Sequence, residues 1–363
     1  MGDLSGWLRP GIDRHLGRPV CYGSPMTRRR PRDSAELITD PGVLEPTPTL
    51  EIFGWTAAAA VGGCAVVPHR GRWLAARQRS VEAVGWFGEV PCGGYTQAVV
   101  HLQKGRAATE QGLHEAWRRL EPGGRLLLVG GNALGVKSAI KRLAAALGDE
   151  PEIVANRARA RVACWVRDDR DPPPAPAVED LTVTVGDDRF TLASAPGVFS
   201  TDAVDPGSAL LLHHLDTVEP PNRLFDPGCG VGVLGLAALR RWPQVTAVLA
   251  DVDSRAVGCA RVNADRIGVG DRCTTAWWDA VSEPAPTAEC DLVLVNPPFH
   301  SGVPVDLQPA RSMFRSIAAV LRPRGVALIV ANRTLPWEHD LREHGSLRQL
   351  TDERGYKVLE LTR

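Results

Sequence analysis

A ten-residue pattern occurs twice in this chain of 363 residues. Residues 120–129, LEPGGRLLLV, are echoed about 200 positions later by residues 321–330, LRPRGVALIV. Each copy follows an amphipathic helical pattern, near residues 107–120 and 308–321. A helix, a proline-containing turn and a buried strand form the repeating unit of a doubly wound sheet. The repeat therefore predicts two similar α/β domains in tandem.

A charged, proline-rich segment divides the two copies. Residues 168–178, DDRDPPPAPAV, are typical of a stiff linker. We predict one domain over residues 46–167 and a second over residues 179–363. Residues 1–45 are rich in Arg, Pro and Gly and have little apolar periodicity, so we predict a disordered basic tail that could contact RNA.

A glycine-rich loop follows a short strand pattern in the second domain. Residues 223–226 form the strand pattern, which ends at Asp226, and residues 227–232, PGCGVG, lead into a helical pattern. Gly228, Gly230 and Gly232 allow the backbone to approach a ligand closely, and the start of the helix offers free N–H groups. The loop predicts a nucleotide-like ligand.

A second strand pattern, residues 245–250, ends at Asp251. A carboxylate at that position can accept hydrogen bonds from both hydroxyls of a ribose. Gly230, Gly232 and Gly235 also satisfy the dinucleotide-binding pattern, so a nicotinamide-dependent oxidoreductase is an alternative. Asp226 argues against it, because a dinucleotide site usually has an apolar residue directly before its glycines.

The tetrapeptide Asn296-Pro297-Pro298-Phe299 follows the apolar run at residues 292–295. Asn296 supplies an acceptor oxygen, and proline lacks an N–H, so the carbonyl of Pro297 is also free to accept. The ring of Phe299 can stack on a base. These groups suit the binding of a planar amine, and the oxidoreductase alternative gives them no task.

Together these motifs resemble those of class I S-adenosylmethionine-dependent methyltransferases. More narrowly, residues 197–200 (GVFS), 205–208 (DPGS) and 296–302 (NPPFHSG) resemble the bacterial ribosomal RNA guanine-N2 methyltransferases. The resemblance implies two Rossmann-like methyltransferase domains, the second with a seven-stranded, mostly parallel sheet in which residues 356–361 form the antiparallel edge strand. It implies transfer of a methyl group from S-adenosylmethionine to the N2 amine of a guanine in ribosomal RNA, free or within a ribosomal subunit.

The resemblance also assigns residues. It implies catalytic roles for Asn296, Pro297 and Phe299. The implied cofactor-binding residues are Phe199, Asp226, Gly228, Gly230, Gly232, Asp251, Asp279 and Asn296. Trp278 is a weaker candidate beside the adenine, with core packing as its alternative.

The family's members resemble two fused methyltransferase domains of which only the second is active. In the first domain the strand pattern at residues 98–100 runs into His101-Leu102-Gln103-Lys104, and no Asp-x-Gly-x-Gly-x-Gly motif precedes it. We therefore expect the first domain to have kept the scaffold, to have lost the site, and to serve in RNA binding and folding support.

Other functions remain open from the sequence. Protein glutamine-N5 and DNA adenine-N6 methyltransferases share the Asn-Pro-Pro motif. A non-catalytic RNA-binding or assembly factor with a vestigial site is a further alternative, but the intact Asp226, Asp251 and Asn296 argue against it.

Charge is distributed unevenly although the chain is neutral as a whole. Residues 1–175 carry 24 basic and 18 acidic side chains, and residues 176–363 carry 18 and 24. This asymmetry predicts that the first half contacts RNA phosphates. Arginines cluster at residues 157–161, where strand periodicity predicts that Arg157, Arg159 and Arg161 share one face, and at residues 70–79.

Composition further limits the class of protein. The eight cysteines are scattered and the nine histidines lack metal-ligand spacing, so we predict no metal and no disulfide framework. No apolar segment is long enough to cross a membrane and none resembles a signal peptide. We expect a cytosolic protein.

Overall fold

The computed structural model describes residues 34–91, 94–178, 180–198, 204–297 and 307–363. Within these ranges the chain forms two compact units. The first unit comprises the described residues up to Val67 together with Trp73–Pro176, and the second comprises Pro68–Arg72 together with Ala177–Arg363. A short segment from early in the chain therefore belongs to the second unit.

The first unit is a seven-stranded sheet with helices on its faces. The strands are β1 (Thr49–Ile52), β2 (Gly63–Val66), β3 (Glu82–Val84), β4 (Tyr95–His101), β5 (Leu120–Gly131), β6 (Glu152–Arg157) and β7 (Ala160–Val166). The helices are α1 (Thr56–Val61), α2 (Arg70–Gln78), α3 (Arg106–Arg119) and α4 (Val136–Leu147), of which α2 has its first three residues in the second unit. The strand order is β3-β2-β1-β4-β5-β7-β6, and all strands are parallel except β7, which is antiparallel to the rest.

The second unit begins with a hairpin of β8 (Leu181–Val185) and β9 (Asp188–Leu192). Its seven-stranded sheet contains β10 (Arg223–Pro227), β11 (Thr246–Asp251), β12 (Cys273–Trp277), β13 (Cys290–Val295), β14 (Leu321–Asn332), β15 (Ser346–Glu353) and β16 (Tyr356–Thr362). The helices are α5 (Pro206–His213), α6 (Val233–Arg241), α7 (Ser254–Arg266), α8 (Gln308–Val320) and α9 (Trp337–Arg342). The order is β12-β11-β10-β13-β14-β16-β15.

The two sheets have the same strand order and the same register, which confirms the tandem fold predicted from the repeat. Tyr95 pairs with Leu120 in the first unit, and Cys290 pairs with Leu321 at the corresponding place in the second. The repeated segments form β5 and β14, each after a long helix, α3 or α8. Parallel strands covered on both faces read as continuous apolar runs, which is why these segments stand out in the sequence.

The prediction for the last strand was wrong in one respect. β16 lies between β14 and β15, so the edge of the sheet is β15. The sequence of β15, SLRQLTDE, is mostly polar and half-exposed or exposed along its length, as an edge strand can be. Without an apolar alternation, β15 gave no strand signal.

Buried apolar strands position the ends of the sheet where the second unit's motifs lie. Leu292, Val293, Leu294 and Val295 of β13 are each 0% exposed. Full burial of such a side chain stabilises the fold by roughly 1.5–3 kcal/mol. The polar residues that follow β13 are therefore fixed by a rigid strand.

The proline-rich segment packs on the first unit. The Trp117 indole N–H donates to the carbonyl of Arg170 (3.2 Å), and Nδ1 of His114 lies 2.7 Å from the carbonyl of Pro173.

In the part of the chain that the structure describes, no helix is both long and apolar enough to cross a membrane.

Candidate functional site

The glycine-rich loop of the second unit leaves open space in front of its backbone. Gly228, Gly230 and Gly232 have φ values of 78°, 55° and 97°, which favour glycine. A Cβ added at Gly230 would meet no atom within 4 Å, whereas one at Gly232 would lie 2.7 Å from the Leu236 side chain. Gly230 therefore borders a cradle, and Gly232 is needed for packing.

Asp226 lies under this loop and is 1% exposed. Its Oδ2 accepts a hydrogen bond from the backbone N–H of Gly235 (2.9 Å), near the start of α6. Its Oδ1 is buried and has no hydrogen-bond partner among the described residues. An unpaired buried carboxylate oxygen is costly unless a ligand supplies a donor or a positive charge.

Asp251 ends β11 beside the loop, as the sequence predicted. Its Oδ2 accepts from the N–H of Gly230 (2.9 Å), and its Oδ1 accepts from the N–H of Asp253 (2.9 Å). The carboxylate is half-buried and joins the glycine loop to the start of α7. Each oxygen retains a lone pair for a ligand hydroxyl.

Burial changes the acidity of both carboxyls. It raises the pKa of Asp226 to about 7 and that of Asp251 to about 6. In the unfolded chain an aspartate has a pKa of about 3.9. The folded protein therefore binds more protons than the unfolded chain between about pH 4 and pH 7.

We expect this difference to appear in the pH dependence of stability. The free energy of unfolding without ligand should fall as the pH rises from about 4 to about 7, by up to about 1.4 kcal/mol per pH unit for each carboxyl. Asp226→Asn should flatten this slope, whereas Asn at the exposed hairpin residue Asp187 should not. Urea unfolding at several pH values measures the slope, and equal slopes for both variants would contradict the assignment.

Asn296 is brought together with the motif at residues 205–208. Its Nδ2 donates to Oδ2 of Asp205 (2.8 Å) and to Oγ of Ser208 (3.0 Å). Asp205 also caps α5, because its Oδ2 accepts from the N–H of Ser208 (3.0 Å). Both amide hydrogens of Asn296 have acceptors, and no described residue donates to its Oδ1, so this oxygen is available to accept from a ligand.

The remaining predicted site residues lie in different surroundings. Asp279 is 7% exposed, and its carboxylate accepts from the N–H of Val281 and the hydroxyl of Ser282. Trp278 is buried with its ring 5.8 Å from that of Phe225, which supports core packing for this residue. Pro297 is buried at the end of β13. Phe199, Pro298 and Phe299 lie outside the described residues.

The start of α2, which the sequence did not associate with the site, contacts the loop after β12 and holds it in place. The Arg70 guanidinium forms a bidentate pair with Glu283 and lies 5.1 Å from the centre of the Trp277 ring. Glu283 in turn accepts from the N–H of Asp279 (3.2 Å). Arg70 therefore fixes the loop that carries Asp279.

The family is shown by comparison with known proteins. Residues 189–360 match the family model for the methyltransferase small domain. The ribosomal RNA small subunit methyltransferase C of Pseudomonas aeruginosa (strain LESB58) is 36% identical over 281 residues, which cover 75% of this chain and 81% of that protein. This chain belongs to the ribosomal RNA small subunit methyltransferase C family.

Other members of the methyltransferase C family extend the match. The protein of that name from Pseudomonas putida F1 is 32% identical over 333 residues, 91% of this chain and 96% of that protein. Among solved structures, the T. thermophilus 16S rRNA N2 G1207 methyltransferase, in complex with AdoMet and guanosine, aligns with a TM-score of 0.80. It is 25% identical, and the alignment covers 91% of each chain. Membership in this family overturns the oxidoreductase alternative.

The seven-stranded sheet is present twice in this chain, and in the first unit Glu51 and His101 take the places of Asp226 and Asn296. His101 stands six residues after Tyr95, as Asn296 stands six residues after Cys290. Glu51 occupies the place of Asp226, because β1 and β10 have the same register against their neighbours. The Glu51 carboxylate lies 2.6 Å from Nε2 of His101 and accepts from the N–H groups of Thr56 and Ala58.

These groups pack closely against the turn after β1. A Cβ on Gly54, at the turn after β1, would lie 2.2 Å from Nε2 of His101 and 2.6 Å from Oε1 of Glu51. Glu51 is one methylene longer than an aspartate, and this extra length lets it reach both His101 and the start of α1. The loss of a site in the first unit stays a prediction, and this close packing supports it.

The predicted arginine clusters are arranged differently from the expectation. Arg157 ends β6 and Arg161 lies in β7, and the turn between these strands contains Ala158 and Arg159 with φ values of 53° and 58°. The three arginines therefore do not share one strand face. In the second cluster, Arg77 and Arg79 lie over the rings of Trp73 and Trp55.

Proposed function

We propose that this protein transfers a methyl group from S-adenosylmethionine to the exocyclic N2 amine of a guanine in small-subunit ribosomal RNA. The orientation of Asn296 carries the proposal, because its Oδ1 faces away from the two acceptors that hold its Nδ2. The names of the relatives and the AdoMet and guanosine in the T. thermophilus structure support it.

The residues present fit the cofactor. The unpaired Oδ1 of Asp226 would meet the positively charged end of the cofactor, and the open space at Gly230 would admit it close to the backbone. Asp251 would accept from the ribose hydroxyls, and Asp279 would lie near the adenine. Gly228, Gly232 and Phe199 complete the proposed set. S-adenosylmethionine supplies an electrophilic methyl group when it is bound.

The chain's own groups would then orient the guanine amine. The Oδ1 of Asn296 and the carbonyl of Pro297 would accept its two N–H bonds, which favours a pyramidal nitrogen with an exposed lone pair. Phe299 would stack on the base, which must first leave any helix. Alignment of this kind can contribute roughly 7–11 kcal/mol to a two-substrate reaction. The surplus proton of the product is acidic and can leave to water.

The partner that follows from this proposal is ribosomal RNA, either free or assembled in a small subunit. We accordingly place the reaction in the cytoplasm.

Among the described residues, no cluster of three His, Cys, Asp or Glu side chains is arranged to hold a metal ion.

Nucleoside mass mapping tests the proposed function. Small-subunit rRNA from a deletion strain should lack one N2-methylguanosine, and the purified protein should restore it with S-adenosylmethionine. Restoration of a methylated adenine instead, or an unchanged guanine pattern, would contradict the proposal. Calorimetry should also give one cofactor per chain, because Glu51 and His101 fill the corresponding place in the first unit.

Arg70 provides a further prediction about cofactor affinity. Arg70→Met removes the pair that fixes Glu283, and we expect S-adenosylmethionine to bind roughly two- to fivefold more weakly, as for a partly exposed ion pair. Arg72→Met is the matched control, because Arg72 is exposed beside it. Calorimetric titration measures the affinity. Equal affinities for the two variants would show that the pair between Arg70 and Glu283 does not support cofactor binding.

A further inference from the structure

Three loops at one end of the first unit's sheet contain six basic residues and no acidic one. They are residues 102–106 after β4, residues 131–137 between β5 and α4, and residues 157–161 between β6 and β7. We call these three segments the basic edge. Its basic residues are Lys104, Arg106, Lys137, Arg157, Arg159 and Arg161.

Backbone hydrogen bonds hold the three loops side by side. The N–H of Leu102 donates to the carbonyl of Val129 (2.8 Å), and the N–H of Asn132 donates to the carbonyl of Arg159 (2.7 Å). The N–H of Gly135 then donates to the carbonyl of Asn132 (3.1 Å), where the chain turns into α4. The basic edge is therefore one continuous surface.

The opposite end of the same strands has the opposite character. Residues 119–125, 147–152 and 166–171 contain seven acidic and four basic side chains. The charge of this part of the sheet is thus separated along the strand direction. The excess of basic residues in the first half of the sequence does not reveal this, because seven of its 24 basic residues lie in residues 1–33, outside the described residues.

Two of the six basic residues are paired with carboxylates, Arg106 with Glu110 and Arg157 with Asp40. Three others have no acceptor in the part of the chain that the structure describes. Lys104, Lys137 and Arg159 are exposed, and their side chains form no ion pair or hydrogen bond there. Nε of Arg161 is buried without a partner, but so is Nε of Arg167 at the opposite end of the same sheet, so this donor does not distinguish the basic edge.

The start of α4 adds further donors to the same surface. This 12-residue helix begins after Gly135 with no capping side chain and no acidic residue in its first turn. Its free N–H groups and its dipole therefore face the basic edge without neutralisation, an arrangement that favours phosphate.

We propose that the basic edge binds phosphate groups of the RNA backbone and thereby holds the RNA on which the second unit acts. The inference rests on the proposed function for the identity of that RNA. The cations are spread over three loops, which suits several phosphates along a strand better than one small anion.

Three substitutions test the surface against a matched control. The basic-edge variant is Lys104→Gln, Lys137→Gln and Arg159→Gln. The control variant is Arg77→Gln, Arg79→Gln and Arg118→Gln, three exposed arginines at the helix ends on the opposite side of the same sheet. Both variants lose three positive charges from the first unit.

Binding to deproteinised 16S rRNA is measured between 50 and 200 mM salt. The basic-edge variant should bind roughly tenfold more weakly at low salt, and the slope of log affinity against log salt should fall by about 2 to 3. The control should match the wild-type protein. Equal losses in both variants, or no loss in either, would overturn the proposal.

Two further measurements distinguish a loss of RNA affinity from a loss of catalysis or of stability. Methyl transfer at saturating RNA should be unchanged in the basic-edge variant, while the RNA concentration for half-maximal rate rises. A lower maximal rate with unchanged RNA affinity would overturn the proposal. If the melting temperature of the triple variant falls, RNA binding is measured with the three single variants instead. Each should reduce the slope of log affinity against log salt by about 1. If the wild-type protein binds RNA through this surface but methylates no guanine, the proposed function fails and the surface stands.

Discussion

Asn296→Ala should slow methyl transfer by roughly 10²- to 10³-fold, by analogy with the loss of one preorganised hydrogen-bonding group. The interaction of Oδ1 with the guanine amine strengthens as the nitrogen becomes pyramidal, so its loss should affect turnover more than binding. Affinity for S-adenosylmethionine should change little. Single-turnover rates on rRNA with saturating cofactor measure the effect.

Two variants control this result. Asn296→Asp keeps an acceptor oxygen but places a charge beside Asp205, which now accepts from Nδ2, so we expect partial activity, above that of the alanine variant. Ser208→Ala removes one of the two acceptors of Nδ2 and should have a smaller effect than Asn296→Ala. Near-normal turnover of Asn296→Ala would mean that the turn after β13 is structural, and the proposed mechanism would lose its main support.

Asp251→Ala should weaken S-adenosylmethionine binding by roughly 1.5–3 kcal/mol, which corresponds to about 10- to 150-fold in affinity, because hydrogen bonds to a charged group are lost. Part of the effect should come from the glycine loop, since the same carboxylate accepts from the N–H of Gly230. Calorimetry measures the affinity, and chemical unfolding measures any loss of stability.

The two alanine variants serve as controls for each other. Asp251→Ala at saturating cofactor should retain far more of its turnover than Asn296→Ala, and Asn296→Ala should retain its cofactor affinity. If both variants lost affinity and turnover together, the separation of the site into a cofactor side and a base side would be wrong.

Local patterns made much of this molecule predictable. The continuous apolar strands, the glycine loop and the proline turn after β13 each determine structure within a few residues. For that reason the tandem α/β fold and the bounds of α3 and α8 could be predicted closely. Asp226, Asp251 and Asn296 could be found because each directly follows or ends a buried strand.

Contacts between distant segments could not be predicted in the same way. The pairing of Asn296 with Asp205 joins residues 91 positions apart, and the pair between Arg70 and Glu283 spans 213 positions. Neither pairing leaves a periodic signal. The polar strand β15 was missed because its side chains carry no apolar alternation, and its presence depends on pairing with β16.

The pair formed by Glu51 and His101 has a consequence for a fold that occurs twice in one chain. A domain that binds a small molecule gains stability as the concentration of that molecule rises above its dissociation constant, and a copy without a ligand lacks that support. In the first unit, side chains of the chain itself occupy the corresponding place at every cofactor concentration. We therefore expect the folding of the first unit to be independent of the supply of the methyl donor, whereas the stability of the second unit should rise and fall with it.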